Sequence, residues 1–156
     1  AAGIPLDDTW RDRLRQRWPE RLQCSMDCGP GWSDIVEAVC ELIDQEGVTL
    51  YQFTQIKEKF AGLRMYWSGE DPAGRIDQLV EAAEEISFSV CERCGSGRAK
   101  VWNHRGYVYT ACDEHVIDGS TIARIKSERL NFPGAKARVT KIEGEDGQGG
   151  AGRSAT

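Results

Sequence analysis

Three cysteines and one histidine in the second half of the chain are spaced to hold a metal. Cys91 and Cys94 stand in Cys91-Glu92-Arg93-Cys94-Gly95, Cys112 follows after a gap of seventeen residues, and His115 comes after two more. Ligands separated by two residues can reach one ion from a single turn, and thiolates with imidazole suit tetrahedral zinc. The quartet predicts one structural Zn2+ per chain, held by Cys91, Cys94, Cys112 and His115. Four protein ligands leave no coordination position for water, which separates such a site from catalytic zinc. The rival fourth ligand is His104, which falls at a hairpin tip. The plainer alternative is a set of unrelated buried thiols with a surface histidine, but two short-range pairs at a standard separation rarely coincide by chance.

These ligands need elements to hold them. Gly95 follows the second cysteine where a knuckle needs a permissive backbone. Lys100 to Asn103 and Tyr107 to Ala111 read as short strands around His104-Arg105-Gly106, with Val101, Tyr107 and Tyr109 as strand formers. Cys112 and His115 are then expected on the first turn of a closing element, giving a treble-clef-like module. A short helix is expected from Ser120 or Thr121 to Leu130, on the strength of Ile122, Ile125 and Leu130.

Upstream, Thr9 opens a helix to about Arg17 with Trp10 and Leu14 on one face. Ser33 or Asp34 opens another to about Glu46, stopped by Gly47. Val48 to Trp67 carries a strand pattern, read as a hairpin turning on Ala61-Gly62. Ile76, Leu79, Val80, Ala83 and Ile86 mark an amphipathic helix ending near Phe88. The predicted fold class is α+β: helices packed on a β-hairpin or small antiparallel sheet, with the zinc module in the C-terminal half. The predicted division is a body over 1–90, a zinc-binding module over 91–133 packed on that body, and a flexible tail over 134–156 whose glycines and lack of large apolar side chains cannot order it.

Composition narrows the function. The chain has 156 residues, 40% of them hydrophobic, enough to bury a core without disulfides. A net charge of -5 argues against coating by nucleic acid but leaves room for a local basic patch. No apolar stretch is long enough to cross a membrane and the first residues carry no signal-peptide core, so a cytoplasmic protein is expected. Of six cysteines the metal takes three, leaving Cys24, Cys28 and Cys40 as an odd set that fits reduced thiols. Only two histidines are present for acid–base work, and no phosphate-binding glycine loop or nucleophile elbow occurs, so enzyme readings start from a disadvantage.

Two basic surfaces are candidates for contact. Arg11, Arg13, Arg15, Arg17 and Arg21 crowd the first helix; Arg11 and Arg15 are the candidate contacts there, against the plainer reading of a solvated face paired with acids. In the hairpin, Lys57, Lys59, Arg64 and Tyr66 fall on one face, which is either a partner surface for an anionic group or an ordinary solvated sheet face.

Cys28-Gly29, Gly31-Trp32, Lys57-Glu58-Lys59-Phe60 with Gly62-Leu63-Arg64 and Tyr66, then Cys91-Glu92, Cys94-Gly95 and Cys112 with His115, together resemble a family of uncharacterised small proteins of bacteria and their phages. The resemblance runs from about Cys24 to His115. It implies a zinc-bearing accessory protein and brings no catalytic residues. Pro30 stands where that family has an acidic residue, and Ala61 where it has glycine. The function expected is a zinc-stabilised, non-catalytic interaction or regulatory protein, phage- or mobile-element-associated, that binds a protein partner. The alternatives are nucleic-acid binding through the basic hairpin or the arginine helix, and a zinc or thiol enzyme using Cys24, Cys28 or an opened metal site.

Overall fold

The structure is a computed structural model that describes residues 9–129 and 137–144. Among the described residues it is α+β, with three α-helices and two small sheets. Helix α1 (Thr9–Arg17) buries Trp10 and Leu14, one turn apart, and Trp18 continues that row. A 3-10 turn over Pro30–Trp32 leads into helix α2 (Ser33–Gln45), which buries Val36, Val39, Cys40 and Ile43. Gly47 stops it with φ +80. Helix α3 (Arg75–Ser87) buries Ile76, Val80 and Ala83, and the Asp71 carboxylate accepts the Ile76 N–H at 2.5 Å where the helix starts.

The first sheet has the order β1-β2-β3, with β1 (Met26–Asp27) parallel to β2 (Tyr51–Lys59), and β2 antiparallel to β3 (Gly62–Gly69). One core joins this sheet to the three helices, built on the fully buried Leu14, Leu22, Met26, Trp32, Phe53, Ile56, Leu63 and Ile76. Burial of that many large side chains, each contributing about 1.5–3 kcal/mol, is the main force holding α1, α2 and α3 against the sheet.

The hairpin turns one residue earlier than expected. Lys59 pairs with Gly62, so the two loop residues are Phe60 and Ala61, both left-handed (φ 51 and 74). That conformation costs a residue with a Cβ, and its neighbours hold it: the Ala61 N–H donates to Glu58 Oε2 at 2.9 Å and its carbonyl accepts the Thr110 hydroxyl at 2.7 Å. Gly62 serves packing instead, since a Cβ there would lie 2.7 Å from the Phe88 ring. Both loops hold two residues, so the slip changes partners but keeps each side chain on its face.

The second sheet has the order β5-β4-β6-β7. Strands β4 (Lys100–His104) and β5 (Tyr107–Ala111) form the expected hairpin. The residues expected to make a last helix are instead strand β6 (Thr121–Arg129), which pairs with β4 through Trp102↔Ile122 and Asn103↔Thr121. The open edge of β4 offers backbone groups that a strand satisfies and a helix cannot. Period-two placement also drops Ala123 into a small cluster with Ala61 and Val101. Strand β7 (Ala137–Gly144) pairs with β6, so part of the segment expected to be a structureless tail is sheet. The rest of the segment expected as a flexible tail, at 134–136 and 145–156, lies outside the described residues, as do 130–133, where the expected helix and zinc module end, and the first eight residues.

Candidate metal centre

Cys91 closes the short link from α3, and the knuckle turns back at once. The Gly95 N–H donates to the Cys91 carbonyl at 2.8 Å and Gly95 takes φ +84. Cys112 follows β5 directly, and the 3-10 turn Asp113–His115 brings His115 round, its N–H donating to the Cys112 carbonyl at 3.0 Å. The closing element is thus one 3-10 turn, after which the chain returns as β6; the helix expected here is absent because β4 recruits those residues.

The sequence-predicted ligands come together. Their donor atoms all lie within 4.8 Å of one another. Cys94 Sγ is 3.7 Å from Cys112 Sγ, while His115 Nδ1 is 3.6 Å from Cys91 Sγ and 3.3 Å from Cys112 Sγ. A tetrahedral ion with bonds of about 2.3 Å to sulfur and about 2.0 Å to nitrogen has S···S edges of about 3.8 Å and S···N edges of about 3.5 Å. These three edges are close to those values and the other three stay within 4.8 Å; all are far longer than a disulfide, and the cysteines are free thiols. His104 stays outside the cluster, at the end of β4 facing Tyr107. The cluster can therefore hold one metal ion with Nδ1 of His115 as its nitrogen ligand.

The surroundings favour thiolate at Cys91. Burial alone would push its pKa up, but N–H groups of Cys112, Cys94 and Arg93 and the His115 ring bring it down to about 6. Exposed Cys94 moves the other way, raised by what burial it has and by the neighbouring Cys112 and Cys91 sulfurs, with the Ser96 N–H opposing. Packing those sulfurs together costs free energy that a cation removes.

The centre is fastened to the body at two joints. At the first, the Gly31 N–H donates to the Glu92 carbonyl at 2.7 Å, the Gly29 N–H to Glu92 Oε2 at 2.9 Å, and the Trp32 indole to the Val90 carbonyl at 2.8 Å. The approach is so close that a Cβ on Gly31 would lie 2.1 Å from the Cys91 carbonyl oxygen. This explains Gly31-Trp32, whose role the sequence left open. At the second joint, the hairpin tip docks on β5, the Thr110 hydroxyl donating to the Ala61 carbonyl at 2.7 Å; within the body, Ser87 of α3 steadies that hairpin by accepting the Leu63 N–H at 2.9 Å.

The candidate contact residues fare differently. Arg11 donates to the carbonyls of Met26 and Cys28 at 2.6 and 2.8 Å, and Arg15 to those of Leu22 and Cys24 at 3.2 and 2.8 Å. Both latch the loop that enters β1. Arg13 and Arg17 meet Glu37, and Arg17 also meets Glu41. In the hairpin, Arg64 Nε lies 3.1 Å from Glu84 of α3, Lys59 is exposed with its ammonium 5.7 Å from the Phe60 ring centre, Lys57 is half-buried and Tyr66 is exposed. Outside the metal cluster, burial pushes Cys28 and Cys40 up to about 12 and also raises Cys24.

Among the described residues, no helix is long and apolar enough to cross a membrane. Fold and site together define an α+β protein with a Cys3His cluster of metal-binding geometry. The chain matches no family model, and no curated protein or solved structure matches it.

Proposed function

We propose that this is a zinc-stabilised, non-catalytic binding protein, carried by a phage or other mobile element, that acts in the cytoplasm by engaging a protein partner. The observation that carries the reading is the set of tetrahedral edges supplied entirely by side chains. Thiolate and imidazole donors in a tetrahedron select zinc, and a filled tetrahedron makes the ion a brace. The brace sits where the knuckle meets the body, so its work is to hold two sheets in one arrangement and thereby fix the surface that they share.

A thiol enzyme is disfavoured because Cys28 and Cys40 are buried with raised pKa values and Cys24 is raised as well; a protonated thiol is a poor nucleophile. Nucleic-acid binding through α1 would need Arg11 and Arg15 to leave carbonyls that they already hold. Lys57, Lys59 and Tyr66 remain as the accessible part of the basic hairpin face.

The test is capture from a lysate of the source organism by metal-loaded protein, with and without nuclease. A protein partner retained after nuclease treatment and across a few-fold rise in salt is the expected result. Loss of all captured material to nuclease, with affinity falling roughly tenfold or more over that salt range, would transfer the function to nucleic-acid binding.

A further inference from the structure

A cavity of about 380 Å³ opens beside the metal centre, between the Gly29-Pro30 loop, the knuckle at Glu92 and Arg93, and the outer strand β5. That volume lies at the small end of ligand pockets, roughly 300–1,000 Å³, and suits one extended side chain better than a cofactor. The geometry points to this cavity as a receptor for a cationic side chain, arginine or lysine, presented by a protein partner; it rests on the binding reading above and names the chemistry that the partner brings.

Three features converge. First, the Glu92 carboxylate is oriented by the Gly29 N–H at 2.9 Å, so an acceptor is fixed in the wall before any ligand arrives. Second, Tyr107 and Tyr109 stack at 5.4 Å with their planes 13° apart, and both line the cavity. Tyr109 is pinned by its hydroxyl, which meets Ser120 Oγ at 2.6 Å and accepts the Ile117 N–H at 2.8 Å, while Tyr107 is 55% exposed at the mouth. Aromatic faces beside a carboxylate are the standard surroundings of a guanidinium or ammonium group. Third, the wall at His115 backs onto the Cys3His cluster, in which three thiolates around a divalent ion would leave a net negative charge. Arg93 is the cation on the lining, and its side chain is exposed at the rim. An anionic ligand would meet Glu92 and the cage; a cationic one is attracted by both. β5 is an edge strand of its sheet, and the knuckle lies against that edge, the Glu92 N–H donating to the Thr110 carbonyl at 3.3 Å, so the backbone beside the cavity is held in place before a ligand enters.

The experiment follows backbone amide shifts of zinc-loaded full-length protein titrated with N-acetyl-arginine amide. Neutral N-acetyl-norleucine amide and inorganic phosphate serve as controls. Saturable shifts at Gly29, Glu92 and Tyr107 to Ala111 with the arginine probe alone are expected. Glu92→Gln keeps an oxygen for the Gly29 N–H and should weaken binding about tenfold, the loss of one charge-assisted contact; Tyr107→Ala, at an exposed position, should weaken it several-fold. An equal response to norleucine, a response to phosphate, shifts spread over other acidic surfaces, or affinity unchanged in Glu92→Gln would each overturn the pocket. Those outcomes leave the binding reading standing, because capture of a nuclease-resistant partner tests that separately.

Discussion

Replacing Gly31 with alanine tests whether the metal centre is welded to the body as described. A Cβ at this position would lie 2.1 Å from the Cys91 carbonyl oxygen, 2.6 Å from the Gly95 nitrogen and 2.7 Å from the Glu92 carbonyl carbon. All three are backbone atoms of the knuckle, so no side chain can rotate away. Ordinary contact begins at 3.4 Å, so the loop must retreat by about 1.3 Å. That retreat breaks the 2.7 Å Gly31–Glu92 hydrogen bond and strains the one from Gly29. Overpacking costs about 1–3 kcal/mol, and a buried hydrogen bond left unmade about 1–3 kcal/mol more. The expected loss is therefore about 2–6 kcal/mol, roughly 10 °C in melting temperature at the middle of that range for a chain of this length. Urea unfolding of the zinc-loaded protein measures it, with Gly97→Ala as control, since a Cβ there meets nothing within 4 Å. Zinc affinity should fall in Gly31→Ala as well, because the displaced atoms belong to the turn between Cys91 and Gly95. If Gly31→Ala and Gly97→Ala unfold within about 0.5 kcal/mol of each other, the weld between loop and knuckle is refuted.

Metal analysis of purified protein should give about one zinc per chain, and Cys94→Ser or Cys112→Ser should melt well below Cys24→Ser; equal tolerance of the three would remove the cage. Ser87→Ala deletes a fully buried hydroxyl that accepts the Leu63 N–H and donates to the Glu84 carbonyl at 2.6 Å. It should cost about 1–3 kcal/mol in urea unfolding, and a smaller effect would mean that water replaces the hydroxyl. Alkaline titration probes Cys28 and Cys40, which burial pushes from the ordinary thiol value of 9.0 up to about 12. Between those pH values the unfolded chain loses protons that the folded chain keeps, so stability falls as pH rises. The slope should approach about 1.4 kcal/mol per pH unit for each thiol, and Cys40→Ala should roughly halve that contribution; an unchanged slope would show that other groups control the alkaline limb.

Elements that local chemistry specifies were legible before any tertiary contact was known. Helix α1 falls where its row of large apolar side chains puts it, with Thr9 as its first residue, α2 ends before Gly47 as its stop signal requires, and the four candidate ligands were legible because metal coordination dictates residue type and spacing together. Other features depended on partners distant in the chain. Thr121 to Arg129 carries apolar residues compatible with either helix or strand, and the exposed edge of β4 decided for strand. The hairpin turned on Phe60-Ala61 because Glu58 and Thr110 hold a left-handed alanine, while Gly62, which looks like the turn residue, makes room for Phe88. Arg11 and Arg15 looked like free charge and became latches once the loop from Leu22 to Cys28 was folded against them. Local propensity fixes an element when its own residues satisfy its backbone; where an open strand edge, an orphan carbonyl or a close backbone approach must be satisfied from elsewhere, only the assembled fold chooses.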